Sequence, residues 1–160
     1  MSSSQNVALV ALYRYAVIAH RVHAQFKQVQ ESDEYKQNQR SLSTNDFVIY
    51  LLSGPPCLYF IWCGLLFTVA EGYQDLKLTD SQVDSLLADS GRLEVLRRCR
   101  NGMFHFQKDY FDARFMGPLR DLFFTEWAIR LTKALGICIT NELQARGPIP
   151  PPQLDLSIFS

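Results

Sequence analysis

The 160-residue sequence lacks a charge excess of either sign: sixteen Lys and Arg balance sixteen Asp and Glu. That balance argues against a protein that coats nucleic acid through a broad positive field, so any phosphate contact has to come from a local cluster. It also lacks a CxxC pair. Cys57, Cys63, Cys99 and Cys138 stand apart with no His at metal-ligand spacing, and they read as buried thiols in a reducing compartment, not as a disulfide frame or a zinc site. The opening Met-Ser-Ser-Ser-Gln-Asn has no basic stretch of the kind that starts a signal peptide, which makes the cytoplasm the expected compartment. No segment alternates strictly between apolar and polar residues, so strands are not expected.

Between Asp46 and Glu71 there is no charged residue. Taken whole, that length suffices for a bilayer span. Gly54, Pro55 and Pro56 interrupt it, however, and the longest unbroken apolar piece, Cys57 to Ala70, is short for that purpose. A helix buried on nearly all sides, with no membrane span, is the expected outcome.

Helical signals account for most of the rest. Val7, Val10, Tyr13, Val17, Val22 and Phe26 recur at three to five residues inside a stretch free of Gly and Pro, predicting a helix from about Gln5 to Gln30. The polar segment 31–45 reads as a loop, and Asp46 can cap a short helix ending before Gly54. Pro56 suits the first turn of the next helix, which should run to about Leu76. Thr79 with Gln82 has capping-box spacing and should open a short helix to about Ala88, broken by Ser90-Gly91. Further helices are expected from about Leu93 to Phe106 and, after the Gly117-Pro118 stop, from Leu119 to Ala145. The expected fold is all-α: one domain over residues 1–147, a bundle of four main helices plus a short extra one. Residues 148–160 form a proline-rich extended tail with an apolar end, suited to a groove on its own domain or a neighbour.

The neutral total conceals an uneven distribution. Residues 31–89 hold nine acidic and three basic side chains, whereas residues 90–118 hold Arg92, Arg97, Arg98, Arg100, Lys108 and Arg114 against Glu94, Asp109 and Asp112. On a helix Arg97, Asn101 and His105 fall at i, i+4 and i+8 and share a face, with Lys108 about a turn further. Arg100 lies one position off that stripe but is long enough to reach round. Cys99, Met103 and Phe106 occupy the apolar side, and Gly102 in mid-helix suggests a close approach there.

The segment Arg100-Asn101-Gly102-Met103-Phe104-His105 resembles the Arg-polar-x-x-x-His signature of the HEPN superfamily, small all-helical domains of toxin–antitoxin, abortive-infection and RNA-processing systems. The aromatic helix ending Phe67-Thr68-Val69-Ala70-Glu71-Gly72-Tyr73 and the acidic helix Asp80 to Asp89 resemble what precedes the motif in that family. The resemblance implies a metal-independent endoribonuclease that needs no cofactor. His105 would act as general base or acid at the ribose 2′-OH. Arg100 would stabilise the phosphorane, and Asn101 would orient the imidazole or a phosphate oxygen. Arg97, Arg98 and Lys108 would bind the RNA backbone.

A single His in the motif further implies a homodimer in which two motifs face each other. Some HEPN toxins carry a Tyr two residues after the His, modified by a partner nucleotidyltransferase; Gln107 stands there instead, and Tyr110 is too far along. That departure counts against an antitoxin or nucleotidyltransferase partner acting in this way and leaves cleavage itself as an expectation. The alternative expectation is a non-catalytic HEPN-like dimer that binds nucleotide, RNA or a partner protein.

Three further groups have structural expectations. Glu71 is expected to pair with Arg97 or Arg98 across the bundle. His20 and His23 are expected to be structural, with no third metal ligand near them in sequence. The stripe Tyr59, Phe60, Trp62, Phe67 and Tyr73 is expected to be core and not a base-stacking platform.

Overall fold

The longest apolar segment has to be covered, and the helices are arranged around covering it. In the computed structural model, which describes residues 3–32, 35–37, 55–104 and 123–146, these helices are α1 (Ser3–Glu31), α2 (Pro55–Asp75), α3 (Ser81–Leu87), α4 (Ser90–Phe104) and α5 (Phe124–Ala145). No strand occurs among the described residues, and the protein is all-α there. The expected short helix after Asp46, the Gly117-Pro118 stop, the expected helix start at Leu119, the tail 148–160 and most of the polar segment 31–45 lie outside the described residues.

Helix α2 opens on Pro55 and Pro56, whose fixed φ suits a first turn and whose missing N–H groups would have no partner there in any case. It packs against α1, α4 and α5. By length and composition, Pro56–Asp75 is apolar enough to cross a membrane, and much of it lies inside the fold. All five aromatic residues of the stripe, Tyr59, Phe60, Trp62, Phe67 and Tyr73, are buried, and Phe60 and Trp62 are fully so. Removing side chains of that size from water contributes about 1.5–3 kcal/mol each before entropy is counted.

On α1 the buried residues Leu9, Leu12, Tyr13, Ala16, Ala19 and Phe26 recur at helical spacing along the face turned to α2. Leu12 lies over Gly72, His23 against Trp62 and Phe26 against Tyr59. Numbers rising on one helix while falling on the other make the pair antiparallel. A Cβ on Gly72 would stand 2.5 Å from Leu12 Cδ1, so the bare glycine is what admits the leucine. Helix α5 runs parallel to α2: the Tyr59 hydroxyl is 2.8 Å from Thr125 Oγ1, and the Trp62 indole N–H donates to Thr132 Oγ1 at 3.1 Å. Thr132 in turn donates to the Ala128 carbonyl at 2.9 Å, so these buried polar atoms are satisfied.

Three boundaries differ from the expected ones. Helix α5 starts at Phe124 with Phe123 before it outside the helix, so the expected unbroken run from Leu119 is interrupted there. The cap of α3 is Asp80 rather than Thr79: its Oδ1 accepts from the Gln82 and Val83 N–H groups at 2.9 and 3.0 Å. In the helix so capped Val83 and Leu86, three residues apart, share one face and are both buried. Ser90-Gly91 does not break the chain either. It forms the first turn of α4, because Asp89 Oδ1 accepts from the Arg92 N–H at 3.1 Å and caps a helix three residues longer at its start than expected.

Helix α2 ends where Lys77 adopts φ 52°, with Lys77 N–H bonded to the Gln74 carbonyl and Leu78 N–H to the Tyr73 carbonyl. This is the left-handed cap that glycine usually supplies. An L side chain there costs about 1 kcal/mol, so Lys77→Gly should raise the unfolding midpoint in a thermal melt. Thr132→Val has the opposite sign. It strands the Trp62 indole N–H in the core, which should lower the urea-derived stability by about 1–3 kcal/mol, whereas Thr132→Ser should retain most of it.

Candidate functional site

Helix α4 has its buried side at Leu96 and Cys99, with Met103 partly buried beside them, and this phase decides where each motif residue goes. Leu96 and Cys99 face α2, where Cys99 Sγ lies 3.7 Å from the Phe60 carbonyl. One step round from that side, Arg100 enters the rim of the α2–α4 seam. Its Nη2 reaches both carboxylate oxygens of Glu71, at 3.0 and 3.2 Å, and its Cζ sits 5.2 Å from the centre of the Phe67 ring. Glu71 thus pairs with an arginine across the helices as expected, but the partner is Arg100 and not Arg97 or Arg98, which α4 turns away from the seam toward Glu94.

Gly64, Phe67 and Glu71 follow each other at i, i+3 and i+7 on α2. A Cβ built on Gly64 would lie 2.6 Å from Phe104 Cε2, so the missing side chain leaves room for that ring, while at 3.5 Å from Arg100 Cα it would be in ordinary contact with the α4 backbone. One α4 residue is thus held at three points: its backbone over Gly64, its guanidinium plane over Phe67 and its charge against Glu71. The Arg100 Nε is buried and has no hydrogen-bond partner. Such an unpaired donor costs about 1–3 kcal/mol. A half-exposed ion pair like Glu71–Arg100, with side chains 44% and 30% exposed, returns about 0–1 kcal/mol.

Arg97 and Arg98 take a different partner. Glu94, one turn before them, accepts from Arg97 Nε at 2.6 Å and Nη2 at 2.8 Å, and from Arg98 Nε at 2.7 Å. These hydrogen bonds hold the Glu94 carboxyl down at about 2, and the same carboxylate raises Arg97 above its ordinary value. Arg92 pairs with Asp89 at 3.3 Å. Four guanidiniums on α4 thus meet three carboxylates, Asp89, Glu94 and Glu71, leaving one positive charge in excess. Asn101 is half-buried next to Arg100. His105 and Lys108 lie outside the described residues, as do Phe106, Gln107 and Tyr110.

The structure therefore gathers Arg100 with Glu71 and Phe67, and Arg97 with Arg98 around Glu94. Arg100 faces the α2 seam, while Arg97 and Arg98 stay on the open side of the helix with more than half of each side chain exposed. Sequence reasoning missed the part played by Phe67 and Gly64. The signal was present in their spacing ahead of Glu71, but only the phase of α4 says which residue they hold. Among the described residues no three His, Cys, Asp or Glu come together as metal ligands.

Comparison with family models, with curated proteins and with solved structures finds no match for this chain. The functional reading therefore rests on the residues themselves.

The other titratable cluster is structural. The His23 ring lies 4.3 Å from the Trp62 ring, and burial, then the nearby His20 and Lys27 charges, lowers its pKa. Burial lowers His20 as well. Burial pushes the Cys63 thiol well up, and raises Cys138 to about 11, where the Asp80, Glu142 and Asp84 charges add to the effect. Such thiols are poor nucleophiles.

A histidine whose folded pKa lies below its unfolded value of 6.5 leaves stability unaffected above that value. As pH falls below it the unfolded chain takes the proton first, and stability is lost until the folded pKa is passed. Urea unfolding should therefore show stability declining as pH falls through the unfolded value of 6.5, and His23→Phe, which keeps a ring on Trp62 but binds no proton, should flatten that decline.

Proposed function

We propose that this chain is a HEPN-type endoribonuclease: a bundle of four main helices and a short fifth, acting in the cytoplasm as a homodimer and cleaving RNA without a metal. The observation that carries the reading is the placement of Arg100. Its permanently charged, forked donor is held at the rim of a helix seam at an energetic cost that its ion pair does not offset, as expected of a group kept for chemistry and not for stability.

In the proposed reaction the imidazole of His105 accepts the 2′-OH proton as the 2′ oxygen attacks the adjacent phosphorus. The P–O5′ bond breaks, and the departing 5′ oxygen receives a proton from the second subunit's motif. Arg100 stabilises the charge that builds on the non-bridging oxygens, and Asn101, its neighbour on α4, orients the imidazole or a phosphate oxygen. Arg97, Arg98 and Lys108 contact the backbone on either side. The products are a 2′,3′-cyclic phosphate and a 5′-hydroxyl, and DNA, lacking the 2′-OH, is not a substrate.

The pairing of each α4 arginine with a carboxylate favours a second reading, a helical dimer that binds nucleotide, RNA or a partner protein without cutting. One experiment separates the two. Purified protein is incubated with total RNA and EDTA, and the wild type is compared with Arg100→Ala and His105→Ala. The nuclease reading expects cleavage by the wild type, cyclic-phosphate ends, and a loss of about 100-fold or more in each variant. An inactive wild type favours the binder, and a monomer by light scattering at micromolar concentration removes the shared site.

A further inference from the structure

Stability does not account for the three-point hold on Arg100. Its half-exposed ion pair contributes little, and its buried Nε has no partner. What the hold does achieve is restriction. An arginine has several freely rotating bonds, and here the close approach at Gly64 brings its backbone against α2, while Phe67 supports the guanidinium plane and Glu71 takes up Nη2. With Nη2 occupied and Nε enclosed, Nη1 is the nitrogen left to meet an incoming anion, and it does so from a pre-set direction.

We propose that Glu71 is a positioning residue that fixes Arg100 so that Nη1 receives a single phosphate oxygen of an RNA backbone, with Phe67 as the platform beneath. The inference rests on the RNA-binding half of the function proposed above and is independent of whether the RNA is cut. It makes a prediction of unusual sign. Removing the Glu71 charge raises the net positive charge beside the phosphate, which by electrostatics alone strengthens RNA binding. Positioning demands the reverse, because the freed guanidinium must be ordered again each time RNA binds.

The test measures binding of a 2′-O-methyl oligoribonucleotide, which cannot undergo 2′-OH attack, by fluorescence anisotropy at one fixed salt concentration. Wild type is compared with Glu71→Gln, Glu71→Asp, Phe67→Leu and Glu142→Gln, and a thermal melt of each is recorded. Glu71→Gln should bind about fivefold more weakly with its melting temperature retained. Glu71→Asp should recover part of that loss, and Phe67→Leu should weaken binding in the same sense. Glu142→Gln, whose carboxylate pairs with Arg146 on α5, makes the same change in net charge without touching Arg97, Arg98 or Arg100, and should bind at least as tightly as wild type. Equal or tighter binding by Glu71→Gln overturns the proposal, and so does weaker binding that comes with a matching loss of thermal stability. A wild type that does not bind the oligonucleotide overturns it too. A wild type that binds it but leaves unmodified RNA uncut removes the nuclease reading alone, and the binding series still decides the role of Glu71.

Discussion

Burial of α2 is the constraint on which the rest of the fold depends. A helix carrying Tyr59, Phe60, Trp62, Leu66, Phe67, Val69 and Tyr73 leaves no broad face for water, so neighbours must cover it on several sides. Each neighbour meets the demand differently. Helix α1 approaches where Gly72 leaves room for Leu12, and α4 where Gly64 leaves room for the Phe104 ring. Helix α5 supplies hydroxyl groups from Thr125 and Thr132 for the polar tips of Tyr59 and Trp62. An apolar helix with aromatic residues can be sealed in this way only if their O–H and N–H groups find partners in the covering layer.

The electrostatics of α4 follow a second rule. Most of its charges are settled locally, by carboxylates three or four residues away on the same stretch of chain: Asp89 for Arg92, and Glu94 for Arg97 and Arg98. Arg100 is different, because its partner comes from another helix, 29 residues earlier in the chain. A local pair survives small movements of the helix as a unit. A pair that spans two helices depends on their packing, so the state of Arg100 is coupled to the seam that α2 makes with α4.

Much of the fold was legible in the sequence because periodicity and punctuation agree. The prolines at 55 and 56, the regular apolar spacing on α1, and the absence of alternating segments lead to helices whose centres are where they were expected. The misplacements come from competition between neighbouring residues of equal aptitude. Thr79 and Asp80 are both good caps, and the chain uses Asp80, whose carboxylate accepts from the Gln82 and Val83 N–H groups. Ser90-Gly91 has the composition of a break, but the Asp89 carboxylate caps the chain there and makes it a first turn. At the candidate site, an ion pair to Glu71 was foreseeable from charge, but its partner was not. Arg97 and Arg100 differ by less than one helical turn, and only the burial of Leu96 and Cys99 turns Arg100 toward α2. The platform role of Phe67 was hidden for the same reason: a ring at 6% exposure in an aromatic stripe looks like core from the sequence, and it is core on one face while carrying a cation on the other.

The two tryptophans end up in different seams. The Trp62 indole is hydrogen-bonded to a side chain of α5, whereas the Trp127 indole donates to the Leu86 carbonyl at the end of α3. Intrinsic emission from this protein is therefore a sum of two local reporters, one for the docking of α5 on the central helix and one for the small α3 corner. Replacing either indole with phenylalanine would give a chain whose fluorescence follows one docking event by itself, so that loosening of the corner ahead of the main body becomes visible as two separate traces instead of one blended curve.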